Sequence, residues 1–350
     1  MSTPEEVALY TTFATEIMRR AMAADDLHEV KQWITDHVNL LGGVHETNSL
    51  LTWDASFPYT EQLFAKWEEM GRLPEDQRRE IRWPWESWNT RIGSLEPGML
   101  AVLTAGDGMG KTIFAEMIAE HMTKIGLHCV FVHYELSWPI MMARRATRMT
   151  GLTKRDALAG LTPAQRQEIA DMRTALERKG SNGYLHTPGW DVEKTIAKLS
   201  ELRSQQSCDV VVLDYLEKVS SSARQAKMYS SQFQREADTV ETLKNWAEAH
   251  GVPIVLLSQL SKAGKSSTAD NLDRTAIRGA GEKTEKANIV VMLHRDTLPA
   301  GDGSRYSNEV TIVVDKNTMG ATGTWKMLME PERFSVADAD TKTVDLNAGR

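Results

Sequence analysis

The stretch Ala105–Thr112 reads AGDGMGKT and has the pattern of a phosphate-binding loop, with alanine where the pattern usually opens with glycine. Because glycines lack a Cβ, Gly106, Gly108 and Gly110 let the backbone curl and turn its N–H groups around a polyphosphate. Lys111 can meet the β- and γ-phosphates, and Thr112 offers a hydroxyl to Mg²⁺. We therefore expect the whole stretch to bind a nucleotide: Ala105, Gly106, Asp107, Gly108, Met109, Gly110, Lys111 and Thr112.

The segments on both sides of this loop have the character that such a loop requires. The apolar run at 99–104 predicts a buried strand before it. Ile113–Lys124 predicts an amphipathic helix after it, whose N-terminus adds the positive end of a helix dipole. A glycine-rich turn that happens to precede Lys-Thr is the competing interpretation, and the ordered strand and helix disfavour it.

The size and composition are those of a globular protein. The 350 residues suit one large domain and a smaller one. The net charge of −7 excludes a strongly basic fold but not a local nucleic-acid groove. Cys129 and Cys208 match no metal spacing and no disulfide framework, which favours a reducing cytoplasm. No signal peptide is recognisable, and no apolar run reaches the roughly 18 residues of a membrane span.

Residues 1–90 differ from the rest and predict a small helical region. Apolar residues at helical spacing mark helices over 5–23, 25–38 and 59–70, the last of them ended by Gly71. The region is rich in tryptophan: Trp33, Trp53, Trp67, Trp83, Trp85 and Trp88. So many large rings in a short segment suggest packing on the second domain or on another subunit, with core packing in the same chain as the alternative.

From residue 99 onward, short apolar strands alternate with helices. Strands are predicted at 99–104, 128–134, 209–213, 253–257, 288–293 and 309–315, and helices at 112–125, 139–149, 163–178, 191–206 and 233–250. This order predicts an α/β fold with a mostly parallel sheet, preceded by a small all-α segment. In such sheets the ligand lies at the carboxyl ends of the strands, where the loop is. Residues 323–336 predict short antiparallel strands, and 337–350 a flexible polar tail.

Three predicted strands end in side chains that could complete the nucleotide site. Asp214 suits a ligand of Mg²⁺, direct or through water, opposite Thr112. Glu135 could polarise the attacking water as a general base, with a helix cap or a solvent-facing acid as the alternative. Gln259 could sense the γ-phosphate because an amide both donates and accepts, with a plain polar strand end as the alternative.

The segment 261–286 is rich in glycine, serine and lysine, and its basic residues outnumber its acidic ones in an acidic chain. Its glycines and cations could follow a nucleic-acid backbone through N–H groups and charge. The candidate DNA-binding residues are Lys262, Lys265, Arg278, Gly279 and Gly281. A solvated loop without a ligand is the alternative.

The order of these motifs resembles the C-terminal RecA-like motor domain of DnaB-type hexameric replicative helicases. The matching pieces lie between about residues 83 and 336: GMGKT at 108–112, HYELS at 133–137, VVVLDYL at 210–216, VPIVLLSQLSK at 252–262, IRGAG at 277–281 and DKNTMGATGT at 315–324. Several pieces are common to RecA-like ATPases, but ELS, DYL and SQLSK at these spacings are more specific. The resemblance implies a RecA-like P-loop NTPase core over 91–336, with ATP and Mg²⁺ as cofactors.

The resemblance also implies roles for individual residues. Glu135 matches the catalytic carboxylate, Asp214 the acid of the Walker B strand and Gln259 the sensor. The stretch 278–281 matches the loop that grips single-stranded DNA, and Lys316 matches a basic residue presented to the neighbouring subunit's nucleotide. By the same resemblance we expect a homo-oligomer, a hexamer, whose N-terminal helices could contact primase, a loader or other replication proteins.

Two departures from the family pattern concern the rate and the assembly. Thr318 stands where the family usually has an arginine that reaches into the neighbouring site, an interaction that can be worth about 10³–10⁵ in rate. Hydrolysis is then slow, or another cation such as Arg305 or Arg333 substitutes. The N-terminal region is too short for the family's usual helical collar, as expected of a phage or mobile-element version.

The leading hypothesis is an ATP-driven ring that moves along single-stranded DNA and unwinds duplex in the cytoplasm of a bacterial or phage-infected cell. A recombinase-like or KaiC-like ATPase that binds DNA without unwinding it is the second hypothesis. A nucleotide-gated assembly or loader protein with little turnover is the third, and Thr318 is the residue that suggests it.

Overall fold

A computed structural model describes residues 61, 64, 65, 67–74, 80–178, 183–205, 208–260, 284–300 and 303–339. The chain divides into two units. The smaller unit comprises residues 1–72 and 203–206, and within it residues 61, 64, 65 and 67–72 are helical, so this helix continues through Gly71 rather than ending there. The larger unit holds the rest of the described chain. Within the described residues, no helix is long and apolar enough to cross a membrane.

The larger unit alternates strands and helices. The helices are α1 (Glu86–Ile92), α2 (Lys111–Lys124), α3 (Trp138–Thr150), α4 (Lys154–Ala159), α5 (Pro163–Arg178), α6 (Val192–Gln205), α7 (Ala223–Met228) and α8 (Gln232–His250). The strands are β1 (Leu100–Ala105), β2 (Cys129–His133), β3 (Gly183–His186), β4 (Val210–Asp214), β5 (Ile254–Gln259), β6 (Ile289–His294), β7 (Thr297–Ala300), β8 (Gly303–Tyr306), β9 (Glu309–Asn317), β10 (Gly323–Glu330) and β11 (Ser335–Asp338).

A nine-stranded sheet forms the centre of this unit, in the order β11-β10-β9-β6-β1-β5-β4-β2-β3. The six strands from β6 to β3 are parallel, and β9, β10 and β11 extend the sheet as antiparallel strands. The predicted α/β fold with a mostly parallel sheet is therefore confirmed. β11 includes residues 337 and 338, which the sequence assigned to the flexible tail.

Within the parallel sheet, β1, β2, β4 and β6 are buried on both faces, as continuous apolar runs require. Two apolar clusters lie on opposite faces of it, one containing α2 and the other α8. Helix α2 was expected to be amphipathic, but its buried side chains lie all around it and include Glu116 and Glu120. A helix buried on all sides is placed rigidly, and α2 carries the end of the phosphate loop.

Three of the tryptophans from the N-terminal region pack in the core of the larger unit. Trp83, Trp85 and Trp88 are each at most 4% exposed, and the ring of Trp88 lies 5.1 Å from each of the other two rings, centroid to centroid. Trp85 and Trp88 also contact Phe114 of α2. For Trp85 and Trp88 the expected packing on the second predicted domain, 91–336, is confirmed, because Phe114 belongs to that domain. Trp33 and Trp53 lie outside the described residues.

Candidate nucleotide site

The phosphate loop leaves β1 and enters α2 at the carboxyl edge of the parallel strands. Gly108 and Gly110 adopt positive φ angles of 72° and 99°, a conformation that other residues rarely take, whereas Gly106 does not. Lys111 Nζ donates to Ala105 O at 2.8 Å and to Gly106 O at 3.1 Å, so the ammonium lies over the mouth of the loop. The strand–loop–helix unit predicted over 99–124 is confirmed, with the strand at Leu100–Ala105 and the helix at Lys111–Lys124.

Asp214 ends β4 close to Thr112, whose hydroxyl donates a hydrogen bond to it. Burial raises the pKa of this carboxyl to about 6, and the hydrogen bond from Thr112 and the charge of Lys111 oppose the shift. Among the described residues, Asp214 Oδ1 is buried without a hydrogen-bond partner. A buried acceptor without a partner is costly, and Mg²⁺ would satisfy it, so Thr112 and Asp214 fit a Mg²⁺ bound with phosphates.

Gln259 ends β5 and lies between the phosphate loop and Asp214, because β5 pairs with both β1 and β4. In the register of β1 and β5, Gln259 is opposite Ala105, the first residue of the loop. Glu217, on the turn after β4, accepts hydrogen bonds from Ser258 Oγ at 2.7 Å and from the backbone N–H of Gln259 at 3.0 Å. Glu217, on the turn that follows Asp214, thus fixes the position of Gln259.

Glu135 follows β2, the strand next to β4, and is half exposed. Its carboxylate lies 3.5 Å from Lys218 Nζ and accepts a hydrogen bond from Tyr215, the residue after Asp214. Burial and the nearby charge of Glu135 raise the pKa of the Tyr215 hydroxyl, so Tyr215 remains a donor. Both contacts orient the carboxylate of Glu135 at the same edge of the sheet as Asp214.

A buried ionic cluster ties α2 to α3, the helix that begins three residues after Glu135. Arg148 donates to Glu116 Oε2 at 2.9 Å and to Glu120 Oε2 at 3.0 Å. Arg144 lies 3.2 Å from Glu116 Oε1. Burial raises the pKa of Glu116, which lies one helical turn after Thr112, and Arg144 and Arg148 oppose the shift. Removing one member of such a buried cluster would leave a buried charge without its partner. The intact cluster therefore holds α2 and α3 together.

Two side chains that sequence reasoning missed contact the outer side of the phosphate loop. The hydroxyl of Tyr306, on β8, donates to Asp107 O at 3.0 Å. Arg295, the residue after β6, has its Nη1 3.4 Å from Gly108 O and donates through Nε to Ser307 O at 2.6 Å. A signal for Arg295 was present, since a cation directly follows an apolar strand at the carboxyl edge.

Lys316 and Thr318 lie at the opposite edge of the sheet from the loop of their own chain. Lys316 pairs with Val290 at the start of β6, and β6 starts level with the start of β1. Lys316 Nζ donates to Glu285 O at 2.8 Å. Thr318 is exposed, and its backbone N–H donates to Asn288 O at 3.0 Å. Neither residue belongs to the loop edge of the same chain.

The remaining candidates fall in two groups. Arg305 and Arg333, the candidate substitutes for the missing arginine, are both exposed. Arg333 lies on the turn after β10, 3.7 Å from Glu330. The predicted DNA-binding residues lie outside the described residues: Lys262, Lys265, Arg278, Gly279 and Gly281.

Strand, glycine loop and buried helix, with a hydroxyl and a carboxylate at the mouth of the loop, define a P-loop fold of the α/β class. Comparison with known families makes this specific. The family described as the DnaB-like helicase C-terminal domain matches residues 84–337, and the chain belongs to this family.

Curated relatives are similar over most of this region. The replicative DNA helicase DnaB of Geobacillus stearothermophilus is 27% identical over 228 residues, which are 64% of this chain and 49% of the relative. A probable plasmid replicative DNA helicase of Chlamydia psittaci is 26% identical over 65% of this chain and 48% of its own length. The chain thus spans about half the length of the curated relatives that it matches.

Solved structures show the same fold. One of them, solved as a separate ATPase domain, superposes with a TM-score of 0.68 at 18% identity, covering 80% of this chain and 98% of that domain. A DnaB-like replicative helicase, described together with its interactions with primase, also superposes with a TM-score of 0.68 at 16% identity, covering 94% of this chain and 75% of that one. The RecA-like ATPase fold expected from the sequence is therefore confirmed.

Proposed function

We propose that this chain is the ATP-hydrolysing motor of a replicative DNA helicase, a homo-oligomer that moves along single-stranded DNA and unwinds duplex. The observation that carries the proposal is the pair Thr112 and Asp214 at the mouth of the loop, with the acceptor of Asp214 left unsatisfied. Membership of the DnaB-like helicase family supports the use of that site for DNA unwinding.

In this proposal each part of the carboxyl edge has a task in phosphoryl transfer to water. The loop amides and Lys111 hold the phosphates of ATP, and Gln259 senses the γ-phosphate. Glu135 takes a proton from the attacking water while the oxygen of that water bonds to the γ-phosphorus, and ADP departs as the leaving group. Mg²⁺, held through Thr112 and Asp214, would neutralise charge on the phosphates.

The opposite edge supplies the second half of the site to a neighbouring copy. Lys316 and Thr318 lie on the far side of the sheet from their own loop, as a residue acting in another subunit would. Such a head-to-tail arrangement closes into a ring when the rotation between copies permits, and we propose a hexamer. Thr318 brings no cation, so we propose slow hydrolysis unless another cation, such as Arg305 or Arg333, takes this role.

The proposal extends to the partners and the location of the protein. Lys262, Lys265 and the stretch 278–281 would contact the single-stranded DNA. Primase, a loader or other replication proteins would dock on the N-terminal region, and one structural relative is described together with its interactions with primase. The protein would work in the cytoplasm of a bacterial or phage-infected cell.

A forked-duplex assay tests the proposal. The purified chain is given ATP, Mg²⁺ and a labelled fork, with phosphate release measured in parallel with and without single-stranded DNA. We expect strand separation that requires ATP, and phosphate release that single-stranded DNA stimulates. DNA-stimulated hydrolysis without strand separation would replace the helicase by a DNA-binding ATPase. Nucleotide binding without turnover would leave only an assembly protein.

A further inference from the structure

We propose that Arg295 and Tyr306 are positioning residues that brace the phosphate loop from outside and thereby set its affinity for the polyphosphate. This inference rests on the proposed nucleotide site but goes beyond it, since neither residue belongs to the loop motif or to the side chains at the other strand ends. Both come from the chain after β6: Arg295 follows that strand, and Tyr306 ends the β7–β8 hairpin.

The contacts fall on the carbonyl side of the loop. The hydroxyl of Tyr306 donates to Asp107 O at 3.0 Å, and Arg295 Nη1 lies 3.4 Å from Gly108 O. A loop that receives a phosphate must direct its N–H groups inward, and its carbonyls then face away. Two donors on consecutive outward carbonyls therefore hold this part of the loop in the orientation that binding requires.

The fit between the ring and the loop is close. A Cβ at Gly108 would lie 3.1 Å from Cε2 of Tyr306, and Gly108 has a φ of 72°. The ring therefore occupies the space that a side chain at position 108 would need. Tyr306 and Arg295 also contact each other, with the guanidinium carbon 5.5 Å from the ring centroid, so they form one unit.

The charge of Arg295 gives the brace a second effect. Arg295 is only 6% exposed and burial lowers its pKa, while Tyr306 opposes this shift. Among the described residues, no carboxylate forms an ion pair with it. A buried cation that donates to carbonyls and lies over a neutral ring has no counter-charge from them, and the phosphates of a bound nucleotide would bring one near. Arg295 therefore favours the loaded loop over the empty one.

Ligand titration tests the brace without using turnover. Calorimetry measures the Kd for ATP and, separately, for inorganic tripolyphosphate, both with Mg²⁺. The proteins are the wild type, Tyr306→Phe, Arg295→Met and Lys111→Ala. Tyr229→Phe is the matched control, since its hydroxyl bonds Asp238 at 3.2 Å, far in the sequence from the loop. The melting temperature of each ligand-free protein is recorded beside it.

We expect Tyr306→Phe to weaken both ligands about fivefold, the usual effect of one hydrogen bond, and Arg295→Met to weaken both about tenfold or more. Tyr229→Phe should bind as the wild type does. Tyr306→Phe keeps the ring and should keep the melting temperature, so it remains informative if Arg295→Met folds poorly. Equal losses for both ligands identify an effect on the phosphates.

Four outcomes would overturn the inference. If Tyr306→Phe and Arg295→Met bind both ligands as the wild type does, while Lys111→Ala does not bind, the brace is refuted and the nucleotide site stands. A loss for ATP but not for tripolyphosphate would assign Tyr306 to the base instead. Lower melting temperatures with unchanged Kd values would show a structural role only. If the wild type binds neither ligand, the proposed function fails as well.

Discussion

The two edges of the parallel sheet differ in how much of a candidate nucleotide site each one contains. At the carboxyl edge, Lys111, Thr112 and Asp214 are held by hydrogen bonds and burial around one small volume. At the opposite edge, the turn after β9 is equally well built, since Asn317 Nδ2 donates to Ile92 O at 3.0 Å and its Oδ1 accepts from the N–H of Met319. Yet this turn presents Thr318 and Met319 outward, with Met319 58% exposed.

This difference indicates a division of labour within one chain. A turn whose backbone is fixed while its side chains face solvent is preorganised for something other than its own core. Gly320 shows how tightly the turn is built, since a Cβ there would lie 2.8 Å from Asn317 Nδ2. In the proposed function, one edge receives the nucleotide and the other completes the site of a neighbouring copy.

Removing the loop cation should abolish the first half of the site. Lys111→Ala takes away the ammonium over the loop mouth, and we expect nucleotide binding and turnover to fall below the detection limit. Lys198→Ala, at a partly exposed lysine paired with Glu201 on α6, is the matched control and should behave as the wild type. Calorimetric titration with ATP and Mg²⁺ checks both. Undiminished binding in Lys111→Ala would remove the loop from the site.

Adding a cation to the turn should complete the second half. Thr318→Arg restores the side chain that the family usually has there, and we expect steady-state phosphate release to rise by orders of magnitude, up to about 10³–10⁵-fold. Met319→Arg adds the same charge one residue away and should raise it far less. No increase for Thr318→Arg would mean that another cation already acts, or that the turn does not reach a nucleotide.

Glu135 tests the chemistry of the carboxyl edge separately from its binding. Glu135→Gln keeps the shape but cannot accept a proton, so we expect turnover to fall about 10²–10⁴-fold with the Kd for ATP nearly unchanged. Glu248→Gln, exposed on α8, serves as the control. Parallel turnover and titration measurements decide it. Turnover equal to that of the wild type would exclude Glu135 as the base.

The smallest effect concerns pH. The pKa of Asp214 is raised from 3.8 to about 6, so the folded protein holds this proton more tightly than the unfolded chain. The stability of the ligand-free protein should therefore fall as pH rises from about 4 to about 6, by at most about 3 kcal/mol. Asp214→Asn should remove this dependence and be more stable than the wild type above pH 6.

Thermal unfolding at several pH values measures this difference. Asp171→Asn, on an exposed face of α5, is the control and should leave the pH profile unchanged. With ATP and Mg²⁺ present, the order should reverse, because Asp214→Asn loses the ligand that stabilises the wild type. An identical pH profile for wild type and Asp214→Asn would mean that Asp214 is not buried as a charge.

The sequence predicted the parallel sheet well because its strands are continuous apolar runs between helices. It missed β3, the edge strand, because Gly183–His186 is short and only partly buried. It also missed the hairpin of β7 and β8, where Pro299 interrupts a short segment without an apolar pattern. The buried ionic cluster on α2 was missed because glutamates at helical spacing ordinarily indicate a solvent-exposed face.

The candidate site, like the fold, could be predicted from the sequence only in part. Lys111, Thr112, Asp214 and Gln259 could be placed from the sequence because each ends a strand or lies just after the loop that follows one, and parallel strands end at one edge. Arg295 and Tyr306 could not be joined to the loop, since 187 positions separate Arg295 from Gly108 and only the fold brings them together. The sequence shows which residues end a strand. Contacts between side chains on different strands cannot be predicted until the order of the strands in the sheet is known.

Mixing two variants tests most directly whether a nucleotide site is shared between chains. Lys111→Ala has an intact turn and a defective loop, and Lys316→Ala has the reverse. In an equilibrated equal mixture, about one quarter of head-to-tail interfaces join an intact loop to an intact turn. We predict phosphate release well above that of either variant alone, approaching a quarter of the wild-type rate. A rate no higher than the mean of the two separate variants would contradict a site completed by the neighbouring chain.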